Sequence, residues 1–328
     1  MKNQEGISVR MNEAAGEFFE EIVTALEVLK GELIEGSKGT LIVDLGINAP
    51  GGYLAGQYMT QICMGGLSEV SLTMNDYAEG LVLPTISVIT DFPVETTLGS
   101  QFAGWSISKN GFQAMGSGPA RILARKPKNI YKKIPLIENI DEAVIVLETD
   151  QYPPQPVLQY IADSCDVPYD KLSVLVAPTA SIAGATQIAG RSIETAIHKL
   201  FDLGMDVQTI ISGWGRAPIA PVIRNENELM MGRTNDMLIY GSEVFLQVEH
   251  ENERRLEEIL KKTVSLASET YGKLFYEIFM EADGKFYQID PAIFAPAKIT
   301  INNIITGSFL TAGKINPELL LKSIKFVN

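Results

Sequence analysis

Arg191, Glu194 and His198 follow one another at three- and four-residue intervals in QIAGRSIETAIHKLFDLG, and Gln187 precedes them by four. On a helix these four side chains share one narrow stripe, bringing a guanidinium, a carboxylate and an imidazole toward the same space. Such a stripe is either an acid–base site or a solvated ion pair worth about 0.2–0.5 kcal/mol, and spacing alone leaves both open. With two histidines, His198 and His250, and no Cys-x-x-Cys or H-x-x-x-H spacing, the sequence points to metal-free chemistry. A G-x-S-x-G elbow is missing as well. Cys63, in ICMGGL, is either a nucleophile or a small core residue. In GSGPAR, Gly116 and Gly118 permit unusual backbone angles and Ser117 offers a hydroxyl, with Arg121 just beyond; this is either a ligand loop or a tight glycine turn.

The elements that must position these groups are legible from periodicity. Ser173–Ala177 is an apolar, β-branched run ended by Pro178, with Ser181 as N-cap of a helix running to about Phe201 and Gly204 as its stop. Ala185, Ile188, Ala189, Ile193, Ala196, Ile197 and Leu200 form that helix's core face. Upstream come an amphipathic helix over 12–29, a strand at 40–45, a helix at 53–63, strands near 67–73 and 81–89, a helix start at Asp91, and a hairpin turning at Asn110–Gly111. Further strands are expected at 144–147 and 207–212, with GWGRAPIAP as an irregular loop and MGRTND as a cap or turn. A hairpin at Gly241–Ser242 then joins strands 237–240 and 243–249. Helices over 251–262 and 273–280, a strand at 285–289, a hairpin around Thr306–Gly307 and a helix over 317–324 complete the chain. Alternating strands and helices predict an α/β fold. A shift in composition around 134–141 suggests two α/β domains, 1–135 and 136–328, with an approximate boundary and discontinuity allowed.

The 328 residues are 46% hydrophobic and 20% charged, with 27 Lys and Arg against 40 Asp and Glu for a net charge of −13. That balance argues against nucleic acid or an anionic membrane as partner, while a local basic cluster such as RILARKPKNIYKK can still meet an anionic small molecule. The polar N-terminus and the absence of an apolar run of about 18 residues lead to the expectation of a cytoplasmic protein.

Six motifs in order, AGQYMTQICMGGL, AMGSGPAR, APTASIAG, GRAPIAPV, MGRTND and YQIDPAIFAPA, span nearly the whole chain. Together they resemble the methenyltetrahydromethanopterin cyclohydrolases. The resemblance implies two α/β domains enclosing an interdomain pocket, a homotrimer, and no tightly bound cofactor, with a tetrahydromethanopterin derivative as substrate. It implies reversible hydrolysis of the methenyl bridge to the N5-formyl product. The family's catalytic Arg and Glu fall on Arg191 and Glu194. Gly116, Ser117, Gly118, Arg121, Thr179, Ser181, Arg233, Asn235 and Asp236 are then the expected substrate-binding residues, with Lys298 a further candidate for the anionic tail. Two readings stand beside this one: a pterin-binding protein without turnover, and an amidohydrolase that uses Cys63.

Overall fold

A computed structural model of the chain describes residues 7, 8, 10–78, 80–285 and 288–326. In chain order its elements are β1 (Ile7–Ser8), α1 (Met11–Thr24), α2 (Leu26–Leu29), β2 (Glu32–Glu35), β3 (Leu41–Asp44), α3 (Tyr53–Cys63), β4 (Glu69–Ala78) and β5 (Leu81–Thr90). There follow β6 (Trp105–Lys109), β7 (Phe112–Ser117), α4 (Ala120–Ala124), α5 (Lys128–Tyr131), β8 (Leu136–Ile137), β9 (Ala143–Glu148), α6 (Gln155–Cys165), β10 (Leu172–Ala177) and α7 (Ile182–Ala189). The rest comprises α8 (Ser192–Asp202), β11 (Ile210–Pro218), α9 (Asn227–Gly241), β12 (Glu243–Val248), α10 (Glu253–Leu260), α11 (Phe275–Glu281), β13 (Lys298–Asn303), β14 (Ser308–Gly313) and α12 (Pro317–Lys325). The fold is α/β and the chain forms two compact units, but they do not divide at residue 135. One comprises Met1–Ser68 and Glu95–Gln187, the other Glu69–Val94 and Ile188–Asn328.

The first unit holds a six-stranded sheet in the order β2-β3-β10-β9-β7-β6. Its central strands β3, β10 and β9 are parallel, with antiparallel strands on both sides. LIVD, LSVLVA and AVIVLE are nearly continuous apolar runs because these strands are covered on both faces. Val43, Val144, Val146 and Leu175 pack with Phe19, Ile22, Met59 and Ile62 of α1 and α3. Ile42, Ile145, Leu147, Val174 and Val176 pack with Val157, Leu158 and Ile161 of α6 on the other side. The period-two alternation of a strand thus divides one run of residues between two cores. The hairpin at Asn110–Gly111 is present, with both residues at positive φ as its two-residue turn requires.

The second unit also has a six-stranded sheet, ordered β14-β13-β12-β11-β5-β4. Only β12 and β13 are parallel neighbours. Here β5 pairs antiparallel with β11, Gly213 opposite Thr90, so two strands from the first third of the chain complete a sheet whose other four lie between residues 210 and 313. Two expectations are corrected in this unit. GWGRAP is the body of β11 and not a loop, and MGRTND lies within α9, so no hairpin forms at Gly241–Ser242. The strand expected over 285–289 falls partly on residues 286 and 287, and Tyr287 of the last motif with it, outside the described residues.

Candidate active site

The expected helix from Ser181 to Phe201 is interrupted. It ends as α7 at Ala189 and restarts as α8 at Ser192, with the Arg191 N–H bonded to the Ile188 carbonyl in a tighter turn. Gly190, the weakest helix former in the stretch apart from Gly184, sits at the break. Arg191 is therefore the N-cap residue of α8, at φ −88° and ψ 12°, and its carbonyl accepts both the N–H and the hydroxyl of Thr195. Glu194 falls in the first turn of α8, where the free N–H ends of the helix favour a carboxylate. Arg191 and Glu194 are each only 7% exposed, so neither belongs to the solvated face that an ordinary helix-surface pair would occupy. The interruption removes Gln187 from their helix, while His198, four residues beyond Glu194, lies 3.9 Å from the Asp202 carboxylate.

The turn carrying Arg191 and Glu194 is seated on β11 through missing side chains. A Cβ on Gly215 would come within 2.4 Å of Ser192 Oγ and 3.2 Å of the Ile193 nitrogen, and one on Gly213 within 3.1 Å of Ile193 Cγ2. The glycines of GWG thus serve close helix-on-sheet approach, which explains their place inside a strand. Ile193, Ala196, Ile197 and Leu200 form the buried face of α8, as their spacing predicts.

In the first unit Thr179 and Ser181 follow the carboxyl end of the parallel strand β10, the end at which open α/β sheets bind ligands, whereas Ser117 and Gly118 end the antiparallel strand β7 beside the amino half of β9. Ser181 caps α7, its hydroxyl accepting from the Gly184 N–H and donating to the Pro178 carbonyl. Thr179 donates to the carboxylate of Glu148, the last residue of β9. Asp44, last in β3, accepts the N–H groups of Gly46, Ile47, Asn48 and Ala49 and the Tyr152 hydroxyl. Burial works against its charge, but these donors outweigh it and hold the carboxyl below its usual range. Asp44 and Glu148 escaped the sequence reading; the signal was an acid closing an otherwise apolar strand, in LIVD and AVIVLE.

Gly116 and Ser117 end β7, and Gly118 turns at φ +98° with its Cα against the backbone of β9, 3.2 Å separating an added Cβ from the Val144 carbonyl oxygen. The Ser117 hydroxyl meets the Cys63 sulfur at 3.3 Å, and that sulfur lies 3.8 Å from the Gln187 amide oxygen. Cys63 is wholly buried. Arg121 is corrected: it is fully buried, and its guanidinium donates to the carbonyls of Lys126, Ser100 and Leu98. It stands against the rings of Phe102 and Tyr131. Its work is to fasten the π-helix Glu95–Gln101, aided by the Tyr131 hydroxyl on the Gly99 carbonyl.

Arg233 and Asp236 are corrected likewise, whereas Asn235 stays half-buried. Arg233 donates to the carbonyls of Pro221, Ile324 and Phe326, and the Asn235 amide to the Met231 carbonyl one helical turn back. Asp236 accepts from the Phe275 N–H and the Ser323 hydroxyl, joining α9 to α11 and α12. Burial pushes its carboxyl up to about 7, against those two hydrogen bonds. Gly232 lets α11 approach, since a Cβ there would lie 2.7 Å from that of Tyr276. The motif is a helix-packing hub. Lys298 pairs with Glu243 at 3.0 Å, and Arg216 holds the second oxygen of the same carboxylate. Among the described residues no three His, Cys, Asp or Glu side chains form a group able to hold a metal, and no helix is long and apolar enough to cross a membrane.

A family model described as cyclohydrolase (MCH) matches residues 10–324. The methenyltetrahydromethanopterin cyclohydrolase of Methanococcoides burtonii is 42% identical over 320 residues, 98% of this chain and 99% of its own. Proteins of the same name from Methanoculleus marisnigri and Methanosarcina barkeri are 44% identical over 317 residues and 40% over 321, each with 99% of its own length covered and 97% and 98% of this chain. Matched end to end in this way, and carrying an Arg and a Glu buried at the start of one helix, the chain belongs to the methenyltetrahydromethanopterin cyclohydrolase family.

Proposed function

We propose that the chain catalyses the reversible hydrolysis of 5,10-methenyltetrahydromethanopterin to the 5-formyl compound, with Glu194 as the proton-transfer group and Arg191 as its positioning partner. The observation that carries the assignment of residues is the burial of both side chains at the N-terminal turn of α8, together with the family match along the chain. The methenyl carbon joins two nitrogens in an amidinium cation and is already electrophilic. Water attacks it, and the Glu194 carboxylate accepts the water's proton. The carbon–nitrogen bond to N10 then breaks, its electron pair going to nitrogen, which takes the proton held by Glu194, while the hydroxyl on the carbon loses its remaining proton to solvent as the formyl C=O forms. One positioned carboxylate serves both transfers, a contribution of about 10²–10⁴ in rate. Arg191 precedes Glu194 by three residues, an interval that lets its guanidinium fix the carboxylate and favour the ionised form. Gly116, Ser117, Gly118, Thr179, Ser181 and Asn235 remain the proposed substrate contacts. A homo-oligomer, a trimer by family resemblance, and a cytoplasmic setting complete the reading.

The test is direct. Purified wild-type protein, with chelator present, is mixed with methenyltetrahydromethanopterin, and the ultraviolet absorbance of the methenyl chromophore is followed. Catalysed loss of that absorbance, with the formyl product identified by mass, is expected. Binding of the substrate without turnover would replace the enzyme by a pterin-binding protein.

A further inference from the structure

The π-helix Glu95–Gln101 is fastened to the first unit by side chains from several elements. Thr96, Thr97, Leu98, Gly99, Ser100 and Gln101 are all buried. Arg121 binds the carbonyls of Leu98 and Ser100, Tyr131 that of Gly99, the Ser100 hydroxyl donates to the Cys63 carbonyl, and the Phe102 N–H reaches back to the Thr97 carbonyl. Single π-turns of this kind are uncommon and concentrate at functional sites. Glu95 heads the segment with a half-buried side chain.

Its surroundings do not explain that placement. The carboxylate takes part in no ion pair and, among the described residues, accepts only from its own N–H. Burial without a cation leaves the carboxyl above its usual range. Three other enclosed acids are satisfied by the protein: buried Asp44 collects four N–H groups and a hydroxyl, Glu148 takes the Thr179 hydroxyl, and Glu243 holds Arg216 and Lys298. A carboxylate carried on a fastened backbone and partly desolvated with so little in return is poised for donors that come from outside the protein. The reacting nitrogens of a reduced pterin lie on its pyrazine side. The opposite, 2-amino-4-oxopyrimidine edge presents two parallel donors, N3–H and one N–H of the 2-amino group, a spacing that the two oxygens of a carboxylate match.

We propose that Glu95 binds the 2-amino-4-oxopyrimidine edge of the substrate, one carboxylate oxygen accepting from N3–H and the other from the 2-amino group. This rests on the cyclohydrolase reading above and adds to it the residue that selects a pterin by its amino edge. Glu95 is a binding residue and takes no proton in the reaction.

The experiment uses the full-length protein as wild type and as Glu95→Gln, with thermal melting as the check on folding. The variant keeps the shape but replaces one acceptor by a donor. KM for methenyltetrahydromethanopterin is expected to rise at least tenfold, with kcat within about threefold of wild type. A second readout needs no variant: competitive inhibition of the wild type by tetrahydropterin and by tetrahydrolumazine, in which a carbonyl replaces the 2-amino donor. The pterin is expected to inhibit at least tenfold more tightly, and Glu95→Gln to erase the difference. A kcat loss with unchanged KM, or equal inhibition by the two ring systems in the wild type, overturns the proposal. A wild type that hydrolyses the substrate while failing these tests sinks this assignment alone; a wild type without turnover sinks the cyclohydrolase reading instead.

Discussion

At the scale of single residues, the structure separates side chains that hold the fold from those disposed to act. Cys63 is wholly buried, with its sulfur against Ser117 and Gln187. Cys63→Ala is therefore expected to keep turnover within about threefold of wild type while lowering the melting temperature by a few degrees, the cost of a small cavity. Activity abolished in that variant would favour thiol chemistry. Asp236 supplies a pH signature. Burial raises its folded-state carboxyl to about 7. The folded state thus binds this proton more tightly than the unfolded chain does, and the stability it contributes is full below about pH 4 and lost as pH rises through about 7. Asp236→Asn, which keeps an acceptor for the Phe275 N–H, is expected to show a shallower fall in urea midpoint between pH 5 and pH 7.5 than the wild type. Parallel falls in the two proteins would contradict the burial argument. Neither the raised Asp236 nor the buried Arg121 was visible in sequence, since a charged residue's type carries no record of how deeply the fold encloses it. MGRTND and GSGPAR were legible as special, but their arginines are special as fasteners of backbone carbonyls.

At the scale of elements, the decisive feature is the seating of α8 on β11. Gly215→Ala places a methyl group 2.4 Å from Ser192 Oγ, so the first turn of α8 must shift or β11 must bend. Overpacking of this sort costs about 1–3 kcal/mol. The substitution is expected to lower the urea midpoint accordingly and to reduce turnover by displacing Glu194, with both read on the same preparation. A Gly215→Ala protein of wild-type stability and rate would show that the contact is slack. The core face of this helix was legible because its spacing is regular: Ile193, Ala196, Ile197 and Leu200 are buried as the 3.6-residue period requires. The break at Gly190–Arg191 was not, because one glycine in a strong helical pattern is tolerated far more often than it interrupts. GWGRAP misled for the opposite reason. Glycine and proline mark loops by local chemistry, whereas here the glycines answer to a helix pressing on the strand from elsewhere in the sequence. MGRTND, poor in helix formers, is held helical by tertiary packing against α11 and α12.

At the scale of the whole molecule, the division into units follows strand pairing and not chain order. The hairpin β4–β5 joins the sheet of residues 188–328, so a cut at the composition break near 135 severs both units. Fragments 1–135 and 136–328 are accordingly expected to stay unfolded when made separately: the first lacks β9 and β10, the second lacks β5, one of the two strands that pair with β11. Circular dichroism and dispersed amide resonances would decide it, and a cooperatively melting fragment would contradict the division. This pairing was out of reach of the sequence, because Gly213 and Thr90 lie far apart along it and periodicity reports only a strand's own faces. The α/β class was legible, since each buried strand and the helix after it carry their own period.

The central claim is that Glu194 moves the proton. Its most direct test is steady-state turnover of methenyltetrahydromethanopterin by Glu194→Gln beside wild type, with KM and thermal melting measured on the same preparations. The account predicts a kcat lowered by about a hundredfold or more with folding intact and KM little changed. A Glu194→Gln protein that turns over within a few-fold of wild type would contradict it and move the chemistry to another residue.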